Sequence, residues 1–120
     1  MANLITFVVS IIAILHLWFC VLEMFLWQKP LGLKIFKLDI ATARLSASLG
    51  ANQGLYNLFL SAGLLWSLLA NDFSFAFQLK IFFLSCVTIA GIYAGITVNH
   101  RIFWVQAFPA ILVLALLYVF

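Results

Sequence analysis

Apolar side chains run almost without interruption from Leu4 to Trp27, broken by His16 and Glu23. Three more runs follow, from Leu45 to Ala70, Phe75 to Val98 and Ile102 to Phe120. A helix that crosses a bilayer needs about 20 mostly apolar residues, and each run approaches or exceeds that length. The first run has no basic leader and is longer than the apolar stretch of a signal peptide, about 7 to 15 residues, so it reads as a retained helix. It closes at Gln28, Lys29 and Pro30, where a proline ends the helical pattern and a charge meets the headgroups. Short polar turns at Asn71, Asp72 and Ser74 and at Asn99, His100 and Arg101 separate the later runs. The pattern predicts an all-α polytopic membrane protein with four transmembrane helices in an antiparallel bundle. Residues 1–120 form a single transmembrane domain, with helices at about 3–27, 45–70, 75–98 and 102–120 and a basic cytoplasmic loop at 28–44.

That loop, QKPLGLKIFKLDIATAR, mixes basic and apolar residues. Leu33, Ile35, Phe36, Leu38 and Ile40 can dip into the interface while Lys34, Lys37 and Asp39 stay wet, as in an interfacial segment. Its apolar spacing combines periods near 2 and 3.6, so a plain solvated loop fits equally well.

Composition narrows the class. Hydrophobic residues make up 68% of the chain and charged residues 8%, against about 25% charged in a soluble domain. A soluble globular domain, a dinucleotide fold, a zinc module and a disulfide scaffold are thereby excluded. The net charge of +3 matters through its distribution. Lys29, Lys34, Lys37, Arg44 and Arg101 share one face of the predicted topology and Lys80 holds the other, which places both chain termini outside and the basic loops in the cytoplasm of a cell-membrane protein. Basic residues gathered in one connector suit anionic lipid, and no nucleic-acid partner is expected. Cys20 and Cys86 lack metal or redox spacing, and their depths, about 10 Å and about 18 Å from the cytoplasmic helix ends, argue against a disulfide. No metal and no cofactor is expected.

Candidate chemistry lies where polar groups enter the apolar runs, because an ionisable group in a bilayer needs a partner or a water-filled cavity. His16, Cys20, Glu23 and Trp27 follow the spacing of one helical face. The second run carries Asn52, Gln53, Tyr56 and Asn57, the third Tyr93 and the fourth Gln106. Together Glu23, Asn52, Gln53, Tyr56, Asn57, Tyr93 and Gln106, with His16 deeper, form a candidate ligand-binding pocket in the cytoplasmic half. The alternative is that these groups bond one another and act as interhelical glue. Gly91 and Gly95 form a GxxxG pair that admits a close helix, the first or second helix of the same chain or one from a second protomer, and Pro109 should bend the last helix.

The strings LEMFLWQKPLGLKIF at 22–36, ANQGLYNLFLSAGLLW at 51–66 and GIYAG followed by VQAFPA at 105–110 resemble the DUF1304 family of small integral membrane proteins over nearly the whole chain. The most specific parts are Glu23 to Trp27 with Pro30 and Gly32, and NQGLYN from Asn52 to Asn57. The resemblance implies a four-helix membrane protein without an assigned biochemical role, in a bacterial cytoplasmic membrane. On the residues, the leading expectation is a protein that binds a small or lipophilic molecule in its polar pocket, with membrane lipids as surroundings. A proton-coupled exporter acting as a homo-oligomer, an isomerase-type membrane enzyme using Glu23, and a structural assembly protein are the alternatives. His16 and Glu23 stand about 10.5 Å apart along one helix, too far for a direct acid/base dyad.

Overall fold

The computed structural model describes residues 1–120 and is all-helical, with five helices: α1 (Ala2–Phe25), α2 (Pro30–Phe36), α3 (Ile40–Leu69), α4 (Phe73–Thr97) and α5 (His100–Val119). Three of them, α1, α4 and α5, are long and apolar enough to cross a membrane. Although α3 is the longest at 30 residues, its amides, serines and glycines dilute its apolar character. Residues are buried along it in a stripe near a period of 3.5, formed by Ala43, Gly50, Gly54, Asn57, Ser61 and Leu64, so its packing face is made of small and polar groups. Large apolar residues point outward instead, including Leu45 at 87% exposure and Leu69 at 78%.

The chain divides into two compact units. The first comprises Met1–Ile14 and Leu60–Phe120. Its core gathers Ile5, Val9, Ile12 and Ala13 from α1, Leu64 from α3, Leu84 and Val87 from α4, and Ala110 and Val113 from α5. Between membrane helices, close packing and hydrogen bonds supply the cohesion that water supplies elsewhere. Accordingly, Ser61 Oγ donates to the Ala13 carbonyl at 2.8 Å, and Gly63 lies flat against the Phe83 ring. Lys80 Nζ donates to the Ser67 carbonyl at 2.9 Å, satisfying an acceptor in the last turn of α3. Asp72 caps α4 by accepting from the Phe75 N–H at 2.7 Å.

The GxxxG pair of α4 receives the last helix, α5, and not, as its sequence suggests, the helix of the first or second apolar run or a second protomer: a Cβ on Gly91 would lie 2.5 Å from Ala107 N, and one on Gly95 2.9 Å from Phe103 Cβ. Those two contacts bracket a π-helical turn, Phe103–Ala107, in which the Phe108 N–H reaches back to the Phe103 carbonyl. Pro109, two residues beyond it, has no N–H for the carbonyl four residues earlier, and the widened turn accommodates that loss. The break expected at Pro109 thus takes the form of one π turn upstream of it.

The second unit is Leu15–Phe59. Here α1 ends at Phe25, the Lys29 N–H returns to the Leu26 carbonyl at 3.1 Å, and Pro30 opens α2 in the position its fixed φ favours. Gly32 is required by close approach, since any Cβ there would overlap the Leu26 carbonyl oxygen. Lys37, at φ 54°, stops α2 in the left-handed region. Asp39 then accepts from the Thr42 N–H at 2.6 Å and launches α3 at Ile40, ahead of the Leu45 start that hydropathy suggests. The 28–44 stretch therefore contains a short helix and the first turn of a long one. Leu31 and Ile35 stand exposed on it beside Lys34 and Lys37.

Candidate functional site

Glu23 occupies the last turn of α1 and is buried. Asn57 of α3, also buried, donates its Nδ2 to Glu23 Oε1 at 2.8 Å. The approach is set by Gly54, one turn earlier on α3, where a Cβ would lie 2.6 Å from Met24 Cγ and 3.1 Å from the Cys20 carbonyl. No Lys or Arg forms an ion pair with Glu23, so the amide is its polar partner within the protein.

Beyond the end of α1, Trp27 covers Gly50 of α3 and stacks at 4.7 Å on Phe36 of α2. Its indole N–H donates to Ser46 Oγ at 3.1 Å, and Ser46 in turn donates to the Thr42 carbonyl at 2.7 Å. The relay ends at Asp39, whose carboxyl the Thr42 backbone N–H holds below the usual carboxylate range. Trp27 is thereby held by α2 through Phe36 and by α3 through Gly50 and Ser46, within one unit.

A cavity of about 380 Å³ opens beside this assembly, wholly within the second unit. Glu23 lies on its wall, with Lys29 and Arg44 as its charged residues of opposite sign and Gln28 as its amide. Phe25, Trp27, Ile40 and Ala47 supply apolar surface. Lys29 and Arg44 are exposed, as are Phe25 and Ile40, so the cavity joins a buried carboxylate to a rim that is partly basic and partly greasy. Such a shape can hold a small molecule with a polar head and an apolar flank.

The residues singled out from sequence separate. Glu23 and Asn57 are brought together. Asn52, Gln53 and Tyr56 are exposed on α3, flanking the level at which Gly50 meets Trp27 and Gly54 meets Glu23, which is the end of α1. His16 is fully buried two turns further into α1, edge-on to Phe19 at 5.6 Å. Tyr93 and Gln106 belong to the first unit, Tyr93 exposed on α4 and Gln106 buried in the π turn of α5. Lys29 and Arg44 entered the sequence reading only as topogenic charges. Spacing did not mark them, since Arg44 precedes Asn57 by more than three helical turns on the same helix and Lys29 stands beyond the end of α1. No three His, Cys, Asp or Glu side chains converge as a metal site would require. A second, mostly apolar cavity of about 340 Å³ lies in the first unit between Ile92, Ile96 and Gly95 of α4 and Phe103 and Trp104 of α5.

Neither a curated protein nor a solved structure matches the chain. A family model described as a protein of unknown function, DUF1304, matches residues 10–118, and the chain belongs to that family.

Proposed function

We propose that the protein crosses the membrane four times, through α1, α3, α4 and α5, with both termini outside and the basic connector in the cytoplasm, and that it binds a small amphiphilic molecule in the cavity beside Glu23. The distribution of side chains on α3 supports the fourth crossing. Gly50, Gly54, Asn57, Ser61 and Ser67 are inward while Leu45, Leu49, Phe59, Leu65, Trp66 and Leu69 are outward, the reverse of a water-facing helix and the arrangement hydrocarbon favours. The charge count, five basic residues on one side against Lys80 on the other, supports the orientation.

The observation that carries the binding reading is a buried carboxylate with one amide partner on the wall of a cavity whose rim is basic and apolar. A carboxylate in a membrane protein is retained at considerable cost, which points to a task for it. Asn57 orients Glu23, and Gly54 lets α3 come close enough to do so. Asn52, Gln53 and Tyr56, exposed at the level of the α1 end, are placed to meet headgroups or an entering ligand.

Native mass spectrometry of the wild-type protein and of Glu23→Gln, each released from lipid nanodiscs after matched purification, tests this reading. A defined adduct on the wild type that Glu23→Gln loses, with both proteins equally stable, is the expected result. An adduct-free wild type, or an adduct indifferent to Glu23, overturns it and leaves the Glu23–Asn57 bond as helix-packing glue.

A further inference from the structure

We infer that the ligand of this cavity is a single-chain phosphate-headed amphiphile with a free hydroxyl next to its phosphate, the chemistry of a monoacylglycerol phosphate. The inference rests on the proposed binding role of the cavity and names the class of molecule that would fill it.

Three features of the wall select the class. Lys29 and Arg44 put two cations on the rim, and the planar guanidinium of Arg matches the paired oxygens of a phosphate. A dianionic head satisfies both where a neutral one satisfies neither. Deeper in, Glu23 gives one acceptor site to Asn57 and keeps further lone-pair positions. A hydroxyl, which both donates and accepts, can meet this carboxyl in either protonation state. The two cations at the rim oppose an ammonium group on its way to that position, so a hydroxyl is the better donor. Finally, Phe25 and Ile40, exposed at 68% and 42%, give the cavity an open apolar flank at the level where α1 ends. One acyl chain can lie along such a flank and remain in the leaflet while its head turns inward. Head, hydroxyl and chain then follow one another in the order phosphate at the basic rim, hydroxyl at Glu23 and chain toward lipid.

The test uses the full-length protein in detergent with four probes of graded chemistry, read by native mass spectrometry and by probe-dependent thermal stabilisation. Oleoylglycerol phosphate carries phosphate, hydroxyl and chain; oleoyl-propanediol phosphate lacks the hydroxyl; mono-oleoylglycerol lacks the phosphate; glycerol phosphate lacks the chain. One equivalent of oleoylglycerol phosphate per protomer is expected. Affinity should fall about tenfold or more in Lys29→Gln/Arg44→Gln, the loss that goes with removing hydrogen bonds to a charged group. Arg44→Lys should be intermediate, and Lys34→Gln/Lys37→Gln, which changes cations outside the cavity, should bind like the wild type. Omitting the hydroxyl should weaken binding to the wild type and make little difference to Glu23→Ala.

Equal binding of mono-oleoylglycerol and the phosphate-headed probe, or equal losses from the two lysine-containing double variants, overturns the phosphate assignment. Glycerol phosphate binding as tightly as the chained probe overturns the amphiphile assignment in favour of a soluble phosphate ester. If none of the four is retained while the wild-type protein still carries a Glu23-dependent native adduct, the class inferred here falls and the binding role stands.

Discussion

Alanine at Gly91 separates the effect of close helix packing from that of helix propensity. Gly91 is buried on α4, and an added Cβ would lie 2.5 Å from Ala107 N, 2.8 Å from Ala107 Cβ and 2.9 Å from Ala107 Cα. Ordinary contact begins at 3.4 Å, so the shortfall is about 0.9 Å, and it is against backbone that cannot rotate aside. The helices α4 and α5 must part at the π turn, and overpacking of this kind costs about 1 to 3 kcal/mol, here toward the upper end. Replacing a helical glycine by alanine returns at most about 1 kcal/mol, and less where the unfolded state in a micelle is already helical. The expected net effect is a loss of about 2 kcal/mol. Gly95 provides the internal comparison. Its new Cβ meets Phe103 Cβ at 2.9 Å, a smaller shortfall of about 0.5 Å, and backbone only at 3.4 Å, so a smaller helix shift relieves it and Gly95→Ala should sit within about 1 kcal/mol of the wild type. Reversible unfolding in mixed micelles, followed by helical circular dichroism, measures both variants under one condition. Gly91→Ala matching the wild type, or Gly95→Ala proving the more damaging of the two, would refute the assignment of α5 as the partner of the GxxxG pair.

Three other outcomes follow from the second unit. Asn57→Leu should destabilise the protein by about 1 to 2 kcal/mol by stripping Glu23 of its hydrogen bond, and the double variant with Glu23→Leu should cost less than the two single changes added together. Additive losses in the same micelle unfolding assay would mean that the pair is not coupled. Asp39→Asn should speed hydrogen exchange at the Thr42 amide near neutral pH. Because the Thr42 N–H depresses the Asp39 carboxyl, its contribution is complete above the ordinary value of 3.8 and fades as pH falls through the lower folded value. The variant and the wild type should therefore converge in strong acid, and a difference that persists there would contradict the cap. Gly32→Ala should fail to yield folded protein, since the overlap with the Leu26 carbonyl lies in the backbone of the α1–α2 turn. Wild-type levels and melting of Gly32→Ala would show that α2 does not pass where the geometry puts it.

Hydropathy made α1, α4 and α5 legible because apolar residues dominate both their buried and their exposed faces, so run length alone marks them. It was a poor guide to α3. The helix begins at Ile40, within the stretch read as loop, because its start depends on the Asp39 cap and the left-handed Lys37, which are local signals that a hydropathy window averages away. The same averaging hides the packing stripe. Ala43, Gly50, Gly54, Asn57, Ser61 and Leu64 keep a spacing near 3.5, but they form a periodicity of small size and not of apolarity. Size periodicity is the more informative pattern where both faces of a helix meet non-aqueous surroundings.

The candidate site divides along that stripe. Asn52, Gln53, Tyr56 and Asn57 share a broad arc of α3, and their polarity alone does not distinguish them. The stripe does, because Asn57 falls on it and the other three fall off it, and Asn57 is the one that reaches Glu23. The rim cations were hidden for a different reason. Lys29 and Arg44 have a complete explanation as topogenic charges, so nothing in the sequence asks for a second one. It is the fold of the connector that supplies it: α2 folds against the backbone at the end of α1 at Gly32 and against Trp27 through Phe36, and the early start of α3 carries Arg44 to the same cavity as Lys29. The hydrogen-bonded relay from Asp39 through Thr42 and Ser46 to Trp27 therefore bears on the site although only Trp27 lines it, because it sets where α3 begins and hence where Arg44 stands relative to Glu23. A change at Asp39 or Ser46 should accordingly disturb ligand retention before it disturbs the long apolar helices, whose packing in the first unit uses none of these residues.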